Sequence, residues 1–203
     1  MSHPEQHGKK KIERWEKLKS APRGQYRVFG VREDRSRSPE TGRDHSFFVI
    51  EAADWVNIIP LTPAGEIVFV EQYRHGTEEV TLEVPGGIVD PGETPAEAGR
   101  REMREETGYD PEAVIPLGAV APNPALQNNR CHTFLALGAR PAHAQTLDGT
   151  EEIKVVRLAP EAVPALIREG RISHALVVAA FYLFDAYQRA HSNEALPAHR
   201  AAT

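Results

Sequence analysis

The stretch that most constrains this chain runs from Gly87 to Tyr109, GIVDPGETPAEAGRREMREETGY. Thr94-Pro95-Ala96-Glu97 has the form of a capping box. Thr94 stands at the N-cap, Pro95 at the first helical position, and Glu97 three residues on, where it can reach back to the cap. The sequence therefore predicts a helix from Pro95 to about Thr107, stopped by Gly108 in the left-handed conformation that glycine adopts freely. On that helix Glu102, Glu105 and Glu106 are three and four residues apart, so their carboxylates share one face. Ala98 and Gly99 lie one turn earlier and leave that face open. Gly99 costs about 1 kcal/mol relative to alanine in a helix interior, which argues for a close backbone approach there. Hard oxygen donors on one rigid surface suit Mg2+ or Mn2+, ions that bind through carboxylates and substrate phosphates. The plainer reading is a solvated acidic face braced by Arg100, Arg101 and Arg104. Like charges at this spacing cost only about a few tenths of a kcal/mol, so energetics alone do not separate the two.

The full pattern does separate them. Gly87, Glu93, Arg101, Glu102, Glu105, Glu106 and Gly108 stand at the spacing of the Nudix box, with Met103 and Tyr109 at its two bulky apolar positions. The stretch resembles that of Nudix hydrolases. Seven positions fixed to one residue type, each at a background of roughly 1 in 15, coincide by chance about once in 10⁸ windows, so accident is set aside. The resemblance extends over roughly residues 25–190. It implies an α/β fold, an α/β/α sandwich around a mixed sheet, and metal-dependent hydrolysis of a diphosphate linkage to a nucleoside. Glu102, Glu105 and Glu106 then become metal ligands, with Glu105 and Glu106 also in the catalytic set. The backbone carbonyl of Gly86 joins them, because a residue without a side chain permits close approach. Arg101 is expected to brace the loop through Glu93 or Glu83 and not to touch substrate.

Composition limits the remaining classes. The chain has 203 residues, 40% hydrophobic and 26% charged, with a net charge of −5. That size suits one domain with a small appendage. The acidic balance argues against a nucleic-acid or membrane-surface partner, both of which call for basic patches. A single cysteine, Cys131, excludes an internal disulfide and fits a reducing cytoplasm. The opening residues MSHPEQHGKKK carry no apolar signal-like run. The longest apolar run, Ala175 to Phe184, is too short to span a bilayer.

Taken in order, residues 1–11 read as a polar tail and Ile12 to Lys19 as a short helix broken at Ala21-Pro22-Arg23-Gly24. Tyr26 to Val31 reads as a strand, Arg32 to Asp44 as a charged hairpin region and Phe47 to Ala52 as its return. Residues 1–52 thus form an N-terminal tail and β-rich appendage, 53–190 the main domain and 191–203 a flexible tail. Within the main domain, strands are expected at Trp55–Leu61, Glu66–Tyr73, Val80–Val84, Val114–Val120, Cys131–Leu137 and Ile153–Leu158. Helices are expected at Pro160–Glu169 and at about 174–190. The last of these is capped by Ser173 and is apolar around most of its circumference, as buried helices are.

Three marks narrow the resemblance toward ADP-ribose and nucleoside-diphosphate-sugar pyrophosphatases. They are the N-terminal appendage, which in that group builds a homodimer, the strand-end Gln72-Tyr73-Arg74, and Pro124, fifteen residues beyond Tyr109. The resemblance makes Arg74 a phosphate-binding residue; a surface arginine is the plainer alternative. Pro124 is equally a loop-stiffening proline beside Pro122. Trp15, Tyr26 and Phe29 could stack on a base, but aromatics in a small β unit are more often core, and Cys131 reads as an inert core thiol. One departure stands out: the loop Ala121 to Arg130 has no acid where related enzymes often carry a catalytic glutamate. The nearest substitutes are Glu151 and Glu152, before the strand at Ile153, where the resemblance to the ADP-ribose group also implies acids. Glu151 is favoured of the two because it sits in the loop proper, and a solvated loop with no catalytic role is the plainer alternative. The alternatives in substrate are CDP-choline, a nucleoside triphosphate or a dinucleoside polyphosphate. A non-catalytic ligand sensor is the alternative in class.

Overall fold

The computed structural model describes residues 11–149 and 151–191. The expected tails therefore lie outside the described residues, except for Lys11 and His191.

The described chain falls into two compact units. The first holds the N-terminal strands to Ala52 together with Asn123–Asn128, and the second runs over Ala53–Pro122 and from Asn129 onward. In the first unit, β1 (Glu16–Gln25), β2 (Phe29–Arg37) and β3 (Asp44–Ala52) form an antiparallel sheet in the order β1-β2-β3. The helix expected over Ile12 to Lys19 is absent. Its second half is strand β1, paired with β2 from Glu16↔Arg37 to Gln25↔Gly30. The apolar spacing of IERWEKLK suits a helix, but pairing along the whole length of β2 overrides that local preference. The strand passes through Pro22 and Gly24 with a register shift between them, which an edge strand tolerates because one side of its backbone needs no partner. Ion pairs run across this sheet. Arg23 reaches Glu33, Arg32 reaches Asp34 and Glu51, and Arg37 reaches Asp44, all across neighbouring strands or within β2. Trp15 lies edge-on to Phe47 with ring centres 5.3 Å apart, and Tyr26 lies 4.9 Å from Phe29.

The second unit is built on a seven-stranded mixed sheet. Its strands are β4 (Trp55–Leu61), β5 (Ile67–Arg74), β6 (Glu79–Glu83), β7 (Gly86–Ile88), β9 (Ala113–Val120), β10 (Cys131–Leu137) and β12 (Ile153–Leu158). A separate two-stranded ribbon pairs β8 (Tyr109–Asp110) with β11 (Arg140–Pro141). The main path is β12-β5-β4-β10-β9, with β6 paired to β5 and β7 to β4. Only β4 and β10 run parallel; the other pairs are antiparallel.

Side chains alternate across this sheet and divide the core in two. Val56, Ile58, Val68, Phe134 and Ala136 face α1 (Pro95–Thr107), where they meet Ala98 and Met103. Ile59, Ile67, Phe69 and Leu135 face the other way, onto α2 (Val163–Arg168) and α3 (Ala175–Ala190). The layering is α/β/α, as the sequence predicts. Two details of α3 differ from expectation. His174, not Ser173, is its N-cap, and no side chain caps it. The helix is also not buried all round. Val177, Ala180, Phe181 and Phe184 form one buried stripe, while Tyr182 is 74% exposed.

Candidate active site

The helix α1 carries the acidic face, and its local chemistry follows the sequence. The Thr94 hydroxyl accepts from the Glu97 N–H at 3.3 Å, Glu97 accepts from the Thr94 N–H at 2.7 Å, and Gly108 closes the helix at φ +75°. A Cβ on Gly99 would stand 3.1 Å from a methyl of Val56, so glycine lets α1 lie close against β4.

The glycine pair at the start of β7 meets this helix. The Gly86 N–H donates to the Glu106 carboxylate at 3.0 Å. A Cβ on Gly86 would strike the Val56 carbonyl, and one on Gly87 would strike the Glu102 carboxylate. Gly86 requires glycine because its neighbour is the fixed backbone of β4, whereas a side chain at Gly87 would push the Glu102 carboxylate aside.

Arg101 braces this arrangement with every arm of its guanidinium. Nε and Nη2 donate to Glu93 at 3.2 and 2.7 Å, and Nη2 also donates to the Ile88 carbonyl at 3.0 Å. Nη1 reaches Glu102 at 2.9 Å and Glu105 at 3.1 Å. Its loop partner is thus Glu93. Glu83, the other expected partner, pairs with Arg74 instead.

Glu106 is 3% exposed. Burial pushes its carboxyl well above the ordinary range, the nearby Glu102 and Glu151 add to the rise, and the Gly86 N–H and Arg74 oppose it. Glu102 is raised as well, chiefly by burial and against the pull of Arg101, with Glu105 and Glu151 contributing. Glu102, Glu105, Glu106 and Glu151 thus form an acidic group whose members feel one another.

The segment that precedes Glu151 is tied to α1 by bonds that the sequence did not mark. Gln145 donates through Nε2 to the Glu106 carbonyl at 2.6 Å, and the Thr146 N–H donates to the Glu105 carbonyl at 2.9 Å. These bonds satisfy carbonyls left open at the end of α1. Beyond them, Thr146, Leu147, Asp148 and Glu151 line a recess of about 370 Å³ together with Arg101, Glu102 and Glu105. Glu152 lines no described recess, and Thr150 lies outside the described residues. The acid-free loop Ala121 to Arg130 contributes Asn123–Asn128 to the first unit.

Arg74 ends β5 and is held in a bidentate pair by Glu83, with Nε and Nη2 donating at 2.8 and 2.7 Å. The Glu83 carboxylate is 2% exposed. It also accepts from the Thr81 hydroxyl at 2.6 Å and faces Nδ1 of His174 at 2.9 Å. Arg74, Glu83 and His174 line a second cavity of about 510 Å³, which Trp55, Gly86 and Gly87 also border. The sequence singled out Arg74 and Glu83 separately but not their pairing with each other or with His174, which stands 91 positions from Glu83.

The donor set fits a hard divalent cation in kind: oxygen donors only, with Glu106 buried, Glu102 half-buried, and both disfavoured as anions chiefly by burial. The side chains do not yet converge, since Arg101 holds Glu102 and Glu105 while Glu106 turns to Gly86. Among the described residues no three acidic, histidine or cysteine side chains gather around one point.

Comparison with known proteins bears on this geometry. A family model described as the NUDIX domain matches residues 52–181. The methanol dehydrogenase activator of Bacillus methanolicus is 34% identical over 130 residues, covering 63% of this chain and 70% of that protein. The ADP-ribose pyrophosphatase of Bacillus subtilis is 33% identical over 81 residues, covering 40% of this chain and 44% of that protein, less than half its length. Among solved structures, an ADP compounds hydrolase superposes with a TM-score of 0.79 at 21% identity, over 90% of this chain and 98% of that one. At that identity the likeness shows the shared fold.

Proposed function

The chain belongs to the Nudix hydrolase family, and on that premise we propose that it hydrolyses the diphosphate linkage of a nucleoside diphosphate derivative. The substrate is ADP-ribose or a related nucleoside-diphosphate sugar, and the cofactor is Mg2+ or Mn2+. The observation that carries this reading is the charge arrangement around Gly86 and Gly87. Glu102 is repelled by Glu105 and Glu151, Glu106 is repelled by Glu102 and Glu151, and two of these acids, Glu106 and Glu151, act on the guanidinium of Arg74.

A diphosphate flanked by two esters is anionic and would be repelled by such a face unless positive charge came between them. Glu102, Glu105, Glu106 and the Gly86 carbonyl are the groups that would hold a divalent cation. When bound, it would neutralise phosphate charge and lower the pKa of a coordinated water. Arg74 donates to a phosphate oxygen in a charge-assisted hydrogen bond. Glu151 takes the proton as water attacks phosphorus, and the bond from that phosphorus to the bridging oxygen breaks. With ADP-ribose, one water is consumed and AMP and ribose 5-phosphate leave.

The ADP-ribose pyrophosphatase among the relatives supports the substrate assignment. The activator's name states an effect on another enzyme and does not narrow the linkage. The full reading includes a homodimer built through the N-terminal sheet. The net charge of −5 supports the absence of a nucleic-acid or membrane-surface partner, and the single cysteine supports a reducing cytoplasm. Among the described residues no helix is long and apolar enough to cross a membrane. The test is kcat/KM with Mg2+ on ADP-ribose, an NDP-glucose, CDP-choline, a nucleoside triphosphate and a dinucleoside polyphosphate. ADP-ribose or the NDP-sugar leading the panel supports the reading; CDP-choline or a polyphosphate leading it overturns the substrate assignment.

A further inference from the structure

Glu83 takes part in none of the steps above, yet it is almost fully enclosed and has three partners. Arg74 grips both of its oxygens, the Thr81 hydroxyl donates to one and His174 meets the other. A carboxylate only accepts, so the His174 nitrogen that faces it, Nδ1, carries the proton. His174 is itself anchored, because Asn57 Nδ2 donates to the Leu176 carbonyl at 3.1 Å and ties the first turn of α3 to β4. Glu83 is therefore fixed from two sides before Arg74 is considered.

Arg74 has other acids within reach of its field. Glu106 and Glu151 both act on it electrostatically. The Arg74 side chain is 43% exposed and its stem is flexible, so without a fixed partner it is free to turn toward those acids. Such pairing would occupy the carboxylates that face the substrate and remove the guanidinium from the phosphate at once. The bidentate fork on Glu83 prevents this, since it matches guanidinium geometry and cannot follow Arg74 elsewhere.

We infer that Glu83 is a positioning residue: it holds Arg74 off Glu106 and Glu151, keeping the guanidinium for a substrate phosphate and the acids for a divalent cation. This rests on the function proposed above, which assigns Arg74 to the phosphate. Because such an interaction binds ground state and transition state alike, its loss appears in KM more than in kcat.

The experiment compares Glu83→Gln, Arg74→Ala and the double variant for KM and kcat on ADP-ribose, with melting temperature and Mn2+ affinity measured on the same samples. Glu83→Gln is expected to raise KM about 10- to 100-fold, with kcat within about threefold of the parent. In the Arg74→Ala background the same substitution should add nothing, as two residues acting through one interaction require. Mn2+ affinity should fall several-fold in Glu83→Gln and recover in the double variant, where no guanidinium remains to turn toward Glu106. An unchanged KM, or an effect that adds in full to that of Arg74→Ala, overturns the inference. If Glu83→Gln fails to fold, Thr81→Val removes one of the bonds fixing the carboxylate; a raised KM supports the inference and an unchanged one overturns it. If the parent hydrolyses no diphosphate, the proposed function has failed, and the Mn2+ titration alone decides whether Glu83 restrains Arg74.

Discussion

The Gly86 N–H donates to the Glu106 carboxylate at 3.0 Å, tying the glycine pair of β7 to the last turn of α1. That one bond places the backbone of β7 beside the most enclosed acid of the helix. It also explains why Glu106 is tolerated at 3% exposure with an anion-disfavouring environment: a hydrogen bond to the charged form offsets part of its burial.

Glu106→Gln separates activity from stability. The helix is held by its cap and by Ala98 and Met103, which this change leaves intact. The amide keeps the shape and removes a destabilised charge, so the melting temperature should hold or rise by a few degrees at neutral pH. Activity should fall by about 10³-fold or more, the scale of losing a group that acts at the reacting centre. Near-parental kcat with an unchanged circular-dichroism spectrum would remove Glu106 from the mechanism.

Acid should unfold the second unit through Glu83. Burial alone would raise its carboxyl, but Arg74, His174 and Thr81 hold it well below the ordinary value of 4.5. A depressed folded-state pKa contributes stability that is fully present above the unfolded-state value and is lost as pH falls through the folded-state value. Stability should therefore be flat with respect to this group above about pH 5 and decline below about pH 4.5. Glu83→Gln should flatten that decline; a parent and variant with parallel acid profiles would contradict the assignment.

The chain should be a homodimer through its N-terminal sheet. Phe47 and Phe48 are adjacent on β3 and so point to opposite faces, yet they are 44% and 58% exposed. A three-stranded sheet with apolar side chains open on both faces lacks the burial that would stabilise it alone. Sedimentation at micromolar concentration should give twice the chain mass, and Phe48→Asp should shift it toward the monomer. A monomeric parent would refute the prediction.

Glu151→Gln and Glu152→Gln should differ. Glu151 lines the acidic recess with Glu102 and Glu105, and Glu152 does not. Loss of a general base costs roughly 10²-fold or more, so kcat at saturating Mg2+ should drop on that scale in Glu151→Gln and stay within about threefold in Glu152→Gln. Equal, small effects would mean that Glu151 takes no proton.

What the sequence revealed was local. The capping box, the glycine stop and the spacing of Glu102, Glu105 and Glu106 are set within one helix, and α1 appears where they place it. Strands such as β4, β10 and β12 were legible as short apolar runs separated by loop residues. What stayed hidden depends on distant pairing. IERWEKLK carries helical spacing but becomes part of β1 because β2 offers a full-length partner. The Glu83–His174 contact joins β6 to α3, and the Gln145 bond to the end of α1 joins residues 39 positions apart. Neither leaves a trace in composition or period. Glu151 was reachable through the family resemblance and because the loop Ala121 to Arg130 carries no acid.

The most direct test of the central claim is hydrolysis of ADP-ribose by the purified parent, followed by product identification, with Mg2+ and again with excess EDTA. With Mg2+, the account predicts AMP and ribose 5-phosphate in equal amounts; with chelator, it predicts that both disappear. Undiminished release of AMP in excess EDTA would contradict it, because the clustered carboxylates of α1 would then be acting on an anionic diphosphate with no cation between them.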